Sequence, residues 1–449
     1  MDSNIIIQMI IAIFAGILIY TVIGFIPGTD ETSVLVPITL ALVLSGVSPM
    51  VVLSFFIASM VTLSITNAIP TALVGLPGGV MATPMMEYSL YLKDKGLSSI
   101  VIKKMAVGSL IGVVVALPTS LILANIIAPY GEVLKQYSSL LFVVGAVFLS
   151  LLSKAKLLSL FSIIPLSMLF MSLRHLYWGT GLLPNGKNIT VSFFLGITIG
   201  PLMISLFEML NKEKREQLKT EKYKYIKVPS EKDKTLNPFK IVDKKDMIKP
   251  AIASFLANFL FVLSPVGLTI LFGEMMGKNE KDMEKRSYTT ITVMSAMIQA
   301  TYISGIIIPL VALGIPLSPT SIGPGIALFN AEPVFTQARN IHHILSNTEI
   351  LMAVIPATII AMIIAYTLTN RNASKITNFV LKKIPHEAIL GLFISFIILL
   401  SYIDAGLINI FGVILIGIVS GYLNKQGVNY GVQFMTLYAA PWIISNLVG

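Results

Sequence analysis

Two nearly identical phrases interrupt the long apolar runs of this sequence. Residues 69–77 read IPTALVGLP and residues 308–316 read IPLVALGIP, so both fit I-P-x-x-x-x-G-[LI]-P. An earlier break precedes each phrase, at Pro27 and at Pro265, and lies 50 and 51 residues before the last proline of the phrase. Proline breaks a helix because it lacks a backbone donor, and glycine adds backbone freedom. Two landmarks at nearly equal spacing predict an internal repeat of broken membrane segments.

The composition indicates an all-α integral membrane protein. Hydrophobic residues make up 55% of the chain, charged residues only 12%, and the mean hydropathy is +0.84. The first apolar run, residues 5–25, would span about 31 Å as a helix, which is enough to cross a bilayer. The run is too long for the apolar region of a signal peptide and no basic segment precedes it. The absence of cysteine excludes disulfides and thiolate metal sites.

The repeats divide the chain into three parts. Residues 1–210 form a first membrane repeat, residues 211–249 a basic linker, and residues 250–449 a second membrane repeat. Each repeat contains a proline- and glycine-rich stretch, at 70–84 and 309–326, which we expect to be a re-entrant hairpin. The linker carries 13 Lys or Arg against 7 Asp or Glu. A cytoplasmic linker near anionic lipid explains this charge better than nucleic-acid binding does.

The distribution of basic residues predicts the orientation. With the N-terminus outside, 28 of the 32 Lys and Arg residues fall in inside loops and 4 in outside loops. Such a bias is typical of cytoplasmic loops in the plasma membrane. The first repeat then begins outside and the second inside, so the two repeats have inverted topology. That arrangement is common among secondary transporters.

The ordered motifs resemble the large permease subunit of the tripartite tricarboxylate transporters, the TctA family. The first half carries a Gly-Phe-Ile-Pro-Gly turn at 24–28, a second Pro-Gly turn at 75–78 and MEYSLYLKDKG at 86–96. The second half carries the phrase at 308–316 and a Gly-Pro-Gly turn at 323–325. This resemblance implies a transport function and raises the expectation of a small membrane subunit and an extracytoplasmic binding protein as partners.

Polar residues beside the breaks are the candidate site residues. Helix N-termini and free amides bind carboxylates without a buried cation, and discontinuous helices position them near the membrane midplane. The candidates for binding the substrate are Pro27, Gly28, Thr29, Thr66, Asn67, Gly75, Pro77, Gly78, Gly79, Ser304, Gly314, Pro316, Ser318, Thr320 and Ser321. The candidates for ion coupling are Asp30, Glu31, Thr32, Ser264, Pro265 and Gly267.

Structural roles are the alternative for each of these residues. The Ser and Thr hydroxyls could bond their own helices or allow close packing. Asp30 and Glu31 could cap the next helix at the cytoplasmic water interface instead of serving the ion. The pair His342-His343 falls in an expected loop, where adjacent histidines are usually solvated, so we expect no metal site there.

These patterns favour a secondary active transporter that moves a small organic anion, a carboxylate in our expectation, by alternating access coupled to Na⁺ or H⁺. We expect no cofactor and no metal other than Na⁺ as the coupling ion, and a homodimer is left open. A membrane-embedded enzyme acting on a lipid-linked substrate is one alternative, although the chain contains no H-E-x-x-H or G-x-S-x-G motif. A passive channel is the other alternative.

The orientation can be tested by reporter mapping. We expect an epitope at the N-terminus to be accessible from outside intact cells and an epitope inside residues 211–249 to be accessible only after permeabilisation. An N-terminus inside the cell would contradict the inverted repeats.

Overall fold

The computed structural model describes residues 3–26, 31–73, 78–187, 189–212, 235–336, 338–383 and 386–448. Within these ranges the regular structure is helical, apart from two isolated bridges near residue 335. The α-helices are α1 (Ser3–Gly24), α2 (Glu31–Leu44), α3 (Pro49–Thr66), α4 (Ala68–Leu73), α5 (Met86–Asp94), α6 (Ser98–Ile127), α7 (Gly131–Gln136), α8 (Ser138–Leu152), α9 (Lys156–Gly179), α10 (Thr190–Leu210), α11 (Pro238–Ile241), α12 (Ile248–Phe259), α13 (Pro265–Gly277), α14 (Met283–Ile308), α15 (Pro319–Ile322), α16 (Ile341–Ile344), α17 (Asn347–Lys383), α18 (His386–Lys425) and α19 (Tyr430–Val448).

Seven segments of the described chain are long and apolar enough to cross a membrane. These segments differ in the share of their apolar 18-residue stretch that is buried inside the protein. The buried share is 33% in Ser3–Gly24, 94% in Pro49–Leu73 and 100% in Met283–Leu313. The last two segments are therefore central helices, and each leads into one of the repeated phrases. The predicted all-α membrane class is confirmed, whereas the inverted relation of the two repeats stays a prediction.

The helices pack into two bundles. The first bundle contains α1, α3, α6, α12, α13, α14 and α17, and the second contains α8, α9, α10, α18 and α19. Each bundle takes helices from both halves of the sequence. Helix α2 packs against α3 of the first bundle and against α10 and α18 of the second, so it lies between the two.

Glycines bring the central helices close together. A Cβ atom at Gly108 of α6 would lie 2.2 Å from the Thr292 carbonyl oxygen of α14, and one at Gly112 would lie 2.4 Å from the Ala296 carbonyl oxygen. In the second bundle a Cβ at Gly200 of α10 would lie 2.8 Å from the Gly421 nitrogen of α18. Close backbone approach of this kind stabilises helix pairs in a membrane through van der Waals packing.

The second repeated phrase is interrupted in the structure. The second interrupted segment, residues 309–330, contains a π-helical turn over Pro309–Leu313, the four-residue helix α15 and a 3₁₀ turn over Ile326–Leu328. The first interrupted segment comprises residues 67–73 and 78–85 and contains the short helix α4 and a 3₁₀ helix over Val80–Met85. The expected break is therefore confirmed at the second phrase, whereas Gly75 and Pro77 of the first phrase lie outside the described residues.

Charged residues that the sequence assigned to inside loops meet at one face of the molecule. Lys95 Nζ lies 3.4 Å from Glu284 Oε2, and Lys249 Nζ lies 2.7 Å from Glu280 Oε1. The Lys249 ammonium lowers the pKa of the Glu280 carboxyl, since it hydrogen-bonds to the charged form. The loops before α6, before α12 and before α14 therefore share one face, as the orientation requires. That this face is cytoplasmic stays a prediction.

Next to this face a tyrosine and a carboxylate join the two halves of the chain. Tyr88 of α5 donates to Glu274 Oε1 of α13 at 2.5 Å, and Arg286 Nη2 donates to Glu274 Oε2 at 3.2 Å. Burial and the Glu274 carboxylate raise the pKa of Tyr88 to about 12, so its hydroxyl remains a donor at physiological pH.

Two local expectations were wrong. The charged stretch at residues 93–104 suggests a loop followed by an apolar run from residue 105, but α6 begins at Ser98, so Lys103 lies inside this helix and is only 5% exposed. His342 and His343 were expected in a loop, but they form part of the short helix α16, which Asn340 caps. Local polarity suggested a loop in both cases, whereas α6 begins earlier than its apolar run and the Asn340 cap closes a separate helical turn at α16.

The glycine packing predicts the effect of a single methyl group. We expect Gly112→Ala to lower the melting temperature of the detergent-purified protein and to cost about 1–3 kcal/mol, because overpacking forces α6 and α14 apart. Gly179→Ala is the control, since nothing lies within 4 Å of a Cβ there. Equal melting temperatures for the two variants would contradict the described helix contact.

Candidate functional site

Glu31 begins α2 and is buried, with 5% of its surface exposed. Its Oε1 atom accepts from Asn67 Nδ2 at 3.3 Å and from the Met81 backbone nitrogen at 3.4 Å. The acidic residue therefore belongs to the protein interior and contacts the first interrupted segment at two points. The alternative that placed Glu31 at the water interface does not agree with this burial.

The glycines of the first interrupted segment allow this contact. A Cβ atom at Gly79 would lie 2.4 Å from Glu31 Oε1 and 2.7 Å from Asn67 Nδ2. One at Gly78 would lie 1.8 Å from the Asn67 carbonyl oxygen. A side chain at either position would push against Glu31 or Asn67. The close approach of the first interrupted segment to these two residues therefore requires glycine at 78 and 79.

Two buried oxygen atoms in this region have no hydrogen-bond partner in the described part of the chain. They are Asn67 Oδ1 and, one turn later, Thr71 Oγ1. Buried polar atoms are nearly always paired, so such atoms call for an explanation. Thr66, by contrast, uses its hydroxyl to bond the Thr62 carbonyl of its own helix at 2.9 Å.

Three hydroxyls organise the second interrupted segment. Ser318 Oγ accepts from the Ser321 backbone nitrogen at 3.0 Å, lies 3.1 Å from Thr320 Oγ1 and donates to the Gly305 carbonyl of α14. All three side chains are buried. Ser318 thus caps α15 and ties it to the helix that leads into the segment.

The second interruption is held in part by Asn340 and His342, which sequence reasoning did not select as site residues. Gly314 ends the π-helical turn in the left-handed conformation, with φ of 66°, which favours glycine. Its carbonyl accepts from Asn340 Nδ2 at 2.7 Å, and His342 Nδ1 lies 2.9 Å from the Leu310 carbonyl. Pro316 is buried in the non-helical stretch that follows. The only sequence signal for Asn340 and His342 was polarity next to an apolar segment.

Helix α2 brings the two interrupted segments near each other. Glu31 touches the first segment, and a Cβ atom at Gly323 of the second segment would lie 3.2 Å from the next residue's hydroxyl, Thr32 Oγ1. One residue further, Ser33 Oγ donates to the Thr198 carbonyl of α10 at 2.8 Å. Three successive residues of α2 therefore contact both interrupted segments and the second bundle.

Other candidate residues take structural positions or lie outside the described ranges. Ser264 caps α13 by accepting from the Gly267 nitrogen at 3.3 Å, and Pro265 is the first residue of that helix. Ser304 Oγ bonds the Ala300 carbonyl of its own helix at 2.8 Å. The remaining candidates, all outside the described residues, are Pro27, Gly28, Thr29, Asp30, Gly75 and Pro77.

The polar groups around Glu31 are mostly oxygen atoms. Among the described residues no group of three or more His, Cys, Asp or Glu side chains could hold a metal ion. The region offers one carboxylate, one amide oxygen and hydroxyls, in a part of the protein where helices are broken. Broken helices with such oxygen atoms are where transporters hold substrates and coupling ions.

Comparison with known families agrees with this geometry. The model of the tripartite tricarboxylate transporter TctA family matches residues 10–434, nearly the whole chain. The chain belongs to the TctA family. No curated protein and no solved structure matches it.

Membership of the TctA family identifies the chain as a multi-pass membrane protein of a transporter family and not as an enzyme. The resemblance drawn from the motifs is confirmed over residues 10–434. The family is one of tripartite transporters, so partner subunits belong to its description.

The contact between Gly79 and Glu31 yields a test in this TctA-family protein. We expect Gly79→Ala to abolish or strongly reduce transport in reconstituted vesicles, because the added methyl group displaces the Glu31 carboxylate from Asn67. Expression and folding, measured by size-exclusion chromatography, should remain close to wild type. Gly179→Ala is the matched control, and wild-type transport by Gly79→Ala would show that the contact is not needed.

Proposed function

We propose that this TctA-family protein is a secondary active transporter that moves a small carboxylate across the membrane by alternating access, coupled to Na⁺ or H⁺. In this mechanism the two bundles move relative to each other and expose the interrupted segments first to one side and then to the other. Binding energy from the substrate and the ion would shift the balance between the two states.

The observation that carries the proposal is the position of α2. Its first residues contact both interrupted segments and a helix of the second bundle. Any relative movement of the bundles must therefore change the surroundings of Glu31 and Thr32. A coupling residue needs this property, because its affinity for the ion has to differ between the two states.

Glu31 and Asn67 are the residues that we assign to ion coupling. A sodium ion would take oxygen ligands, and the Glu31 carboxylate together with Asn67 Oδ1 offers them. A proton would bind the Glu31 carboxylate itself, since carboxylates inside the membrane carry protons in pumps and transporters. Asp30, Ser264, Pro265 and Gly267 remain further candidates for this role.

We also propose partner subunits, a membrane orientation and an oligomeric state for this protein, from its family and its charge pattern. A small membrane subunit and an extracytoplasmic binding protein would deliver the substrate to the outer face. The linker 211–249 would lie at the cytoplasmic side of the plasma membrane, where its positive charge faces anionic lipid. A homodimer is compatible with the exposed apolar faces of the outer helices.

Reconstitution into vesicles, together with the small membrane subunit and the extracytoplasmic binding protein, tests both the transport and its coupling. We expect the wild type to accumulate radiolabelled citrate against its gradient when a Na⁺ or an H⁺ gradient is imposed, and one of the two ions to suffice. Glu31→Gln keeps the side-chain shape but cannot carry the charge. We expect the Glu31→Gln variant to lose the citrate accumulation that the coupling ion drives in the wild type. Exchange of citrate across the membrane should continue in this variant.

Two outcomes would contradict the proposal. Equilibration of citrate and other carboxylates without accumulation would indicate a passive channel. Unchanged ion-driven accumulation by Glu31→Gln would remove this residue from coupling. Asp94→Asn, a change at an exposed acidic residue that ends α5, controls for the loss of one carboxylate.

A further inference from the structure

An open groove lies on the outer surface of the first bundle. Its lining comes from α6, from α11 and from the start of α12, and its volume is about 250 Å³. All of the lining residues are apolar. Val114 of α6 and Phe239 of α11, which both line the groove, are 63% and 58% exposed. In a membrane protein such a groove offers an apolar binding place for a hydrocarbon chain.

The groove begins near the charged face of the molecule and extends along α6 toward the middle of the membrane. Lys104 lies in the second turn of α6, and its Nζ atom donates to the Ile241 carbonyl at the end of α11 at 3.3 Å. Val115, which lines the groove, follows Lys104 by 11 residues, which is about 16 Å along a helix. The hydrocarbon core of a bilayer is about 30 Å thick. The groove therefore extends through about the depth of one leaflet.

Lysines border the end of the groove that lies near the charged face. Lys240 follows the lining residue Phe239 in α11, and Lys244 Nζ lies 5.7 Å from the centroid of the Phe239 ring. Both lysines are exposed, and neither forms an ion pair within the described ranges. The carboxylates of Asp246 and Asp243 interact electrostatically with Lys104. Residues 235–249 carry four lysines and two aspartates, so the segment beside the groove is basic.

The two ends of the groove therefore differ in chemistry. The part along α6 is apolar, and the part beside α11 is next to ammonium groups. An amphiphile with an anionic head group complements both parts, because basic residues at the cytoplasmic end of membrane helices attract anionic lipid. A helix of a partner subunit would cover the apolar part but would bring no anion to the lysines.

We propose that this groove binds an anionic phospholipid. One acyl chain lies in the groove against α6 and the start of α12, and the head-group phosphate contacts the ammonium groups of Lys240 and Lys244. The bound lipid holds α11, which belongs to the end of the basic linker, against the first bundle. This site is separate from the interrupted segments, and the proposal does not depend on the transported substrate.

Lipid titration of the delipidated full chain in detergent tests the site. The melting temperature is measured with phosphatidylglycerol and with phosphatidylcholine of the same acyl chains, and native mass spectrometry counts the retained lipid. Phosphatidylglycerol should raise the melting temperature at a lower concentration than phosphatidylcholine does, because only its head group carries a net negative charge. Inorganic phosphate at the same concentration should give no stabilisation, since it lacks the acyl chain.

Removal of two charges tests the head-group contact. The double variant Lys240→Gln, Lys244→Gln should bind phosphatidylglycerol about tenfold or more weakly than the wild type, whereas its binding of phosphatidylcholine should not change. The matched control is Lys154→Gln, Lys156→Gln, which removes two exposed lysines just before and at the start of α9 in the second bundle. This control should keep the wild-type affinity for both lipids.

A larger side chain in the groove tests the acyl-chain contact. Ala251→Leu places three more carbon atoms in the groove, so it should weaken the binding of both lipids by about tenfold or more. Its melting temperature without lipid should stay close to that of the wild type, because the added atoms enter open space. Ile252→Leu is the control, since Ile252 is exposed on the same helix and does not line the groove.

Three outcomes would overturn the lipid site. Equal stabilisation by phosphatidylglycerol and phosphatidylcholine would show that the head group is not recognised, and stabilisation by inorganic phosphate alone would show that no acyl chain is needed. Wild-type lipid affinity in Ala251→Leu would show that the chain does not lie in this groove. If Ala251→Leu instead released the small membrane subunit and left lipid binding unchanged, the groove would belong to that subunit.

Discussion

The need to satisfy backbone polar groups away from water governs this structure. Helices pair their own N–H and C=O groups, and an interrupted helix inside a membrane leaves several of them without partners. In the second interrupted segment Asn340 bonds the Gly314 carbonyl and Ser318 bonds the Gly305 carbonyl. In the first segment the Glu31 carboxylate accepts from the Met81 nitrogen. Side chains from neighbouring helices thus replace the missing helical bonds, and they fix where each segment lies.

Buried polar side chains form their hydrogen bonds in two ways in this structure. Many Ser and Thr side chains of the regular helices bond a carbonyl of their own helix, as Thr66 does. At the interruptions, side chains instead bond groups of other segments, as Asn340 and Glu31 do. Buried polar atoms without a hydrogen-bond partner in the described part of the chain occur in both settings, for example in Asn67 beside the first interruption and in Thr39 within α2.

The sequence predicted much of the fold from simple physical rules. Apolar runs of about twenty residues require membrane helices, and Pro-Gly phrases require breaks. The apolar stretches at residues 33–46 and 190–210 of the sequence coincide with α2 and α10 to within about two residues. Of the candidate site, Glu31, Asn67, Gly78 and Gly79 do come together, because all four lie beside a break. Asn340 and His342 could not be found in this way, since they reach the second interruption from a stretch that looks ordinary in the sequence.

By itself the sequence determined the membrane class, the positions of the interruptions and the family, because these depend on local hydrophobicity, on proline and glycine, and on motif order. Only the tertiary structure decided that α2 lies between two bundles built from both halves of the chain. It also decided that Glu31 is buried against Asn67 and that Thr32 lies beside Gly323. The physical reason is that close contacts between helices depend on how backbones fit at glycines and on which side chain reaches a free carbonyl. These contacts form between residues that are far apart in the chain, so local sequence patterns do not predict them.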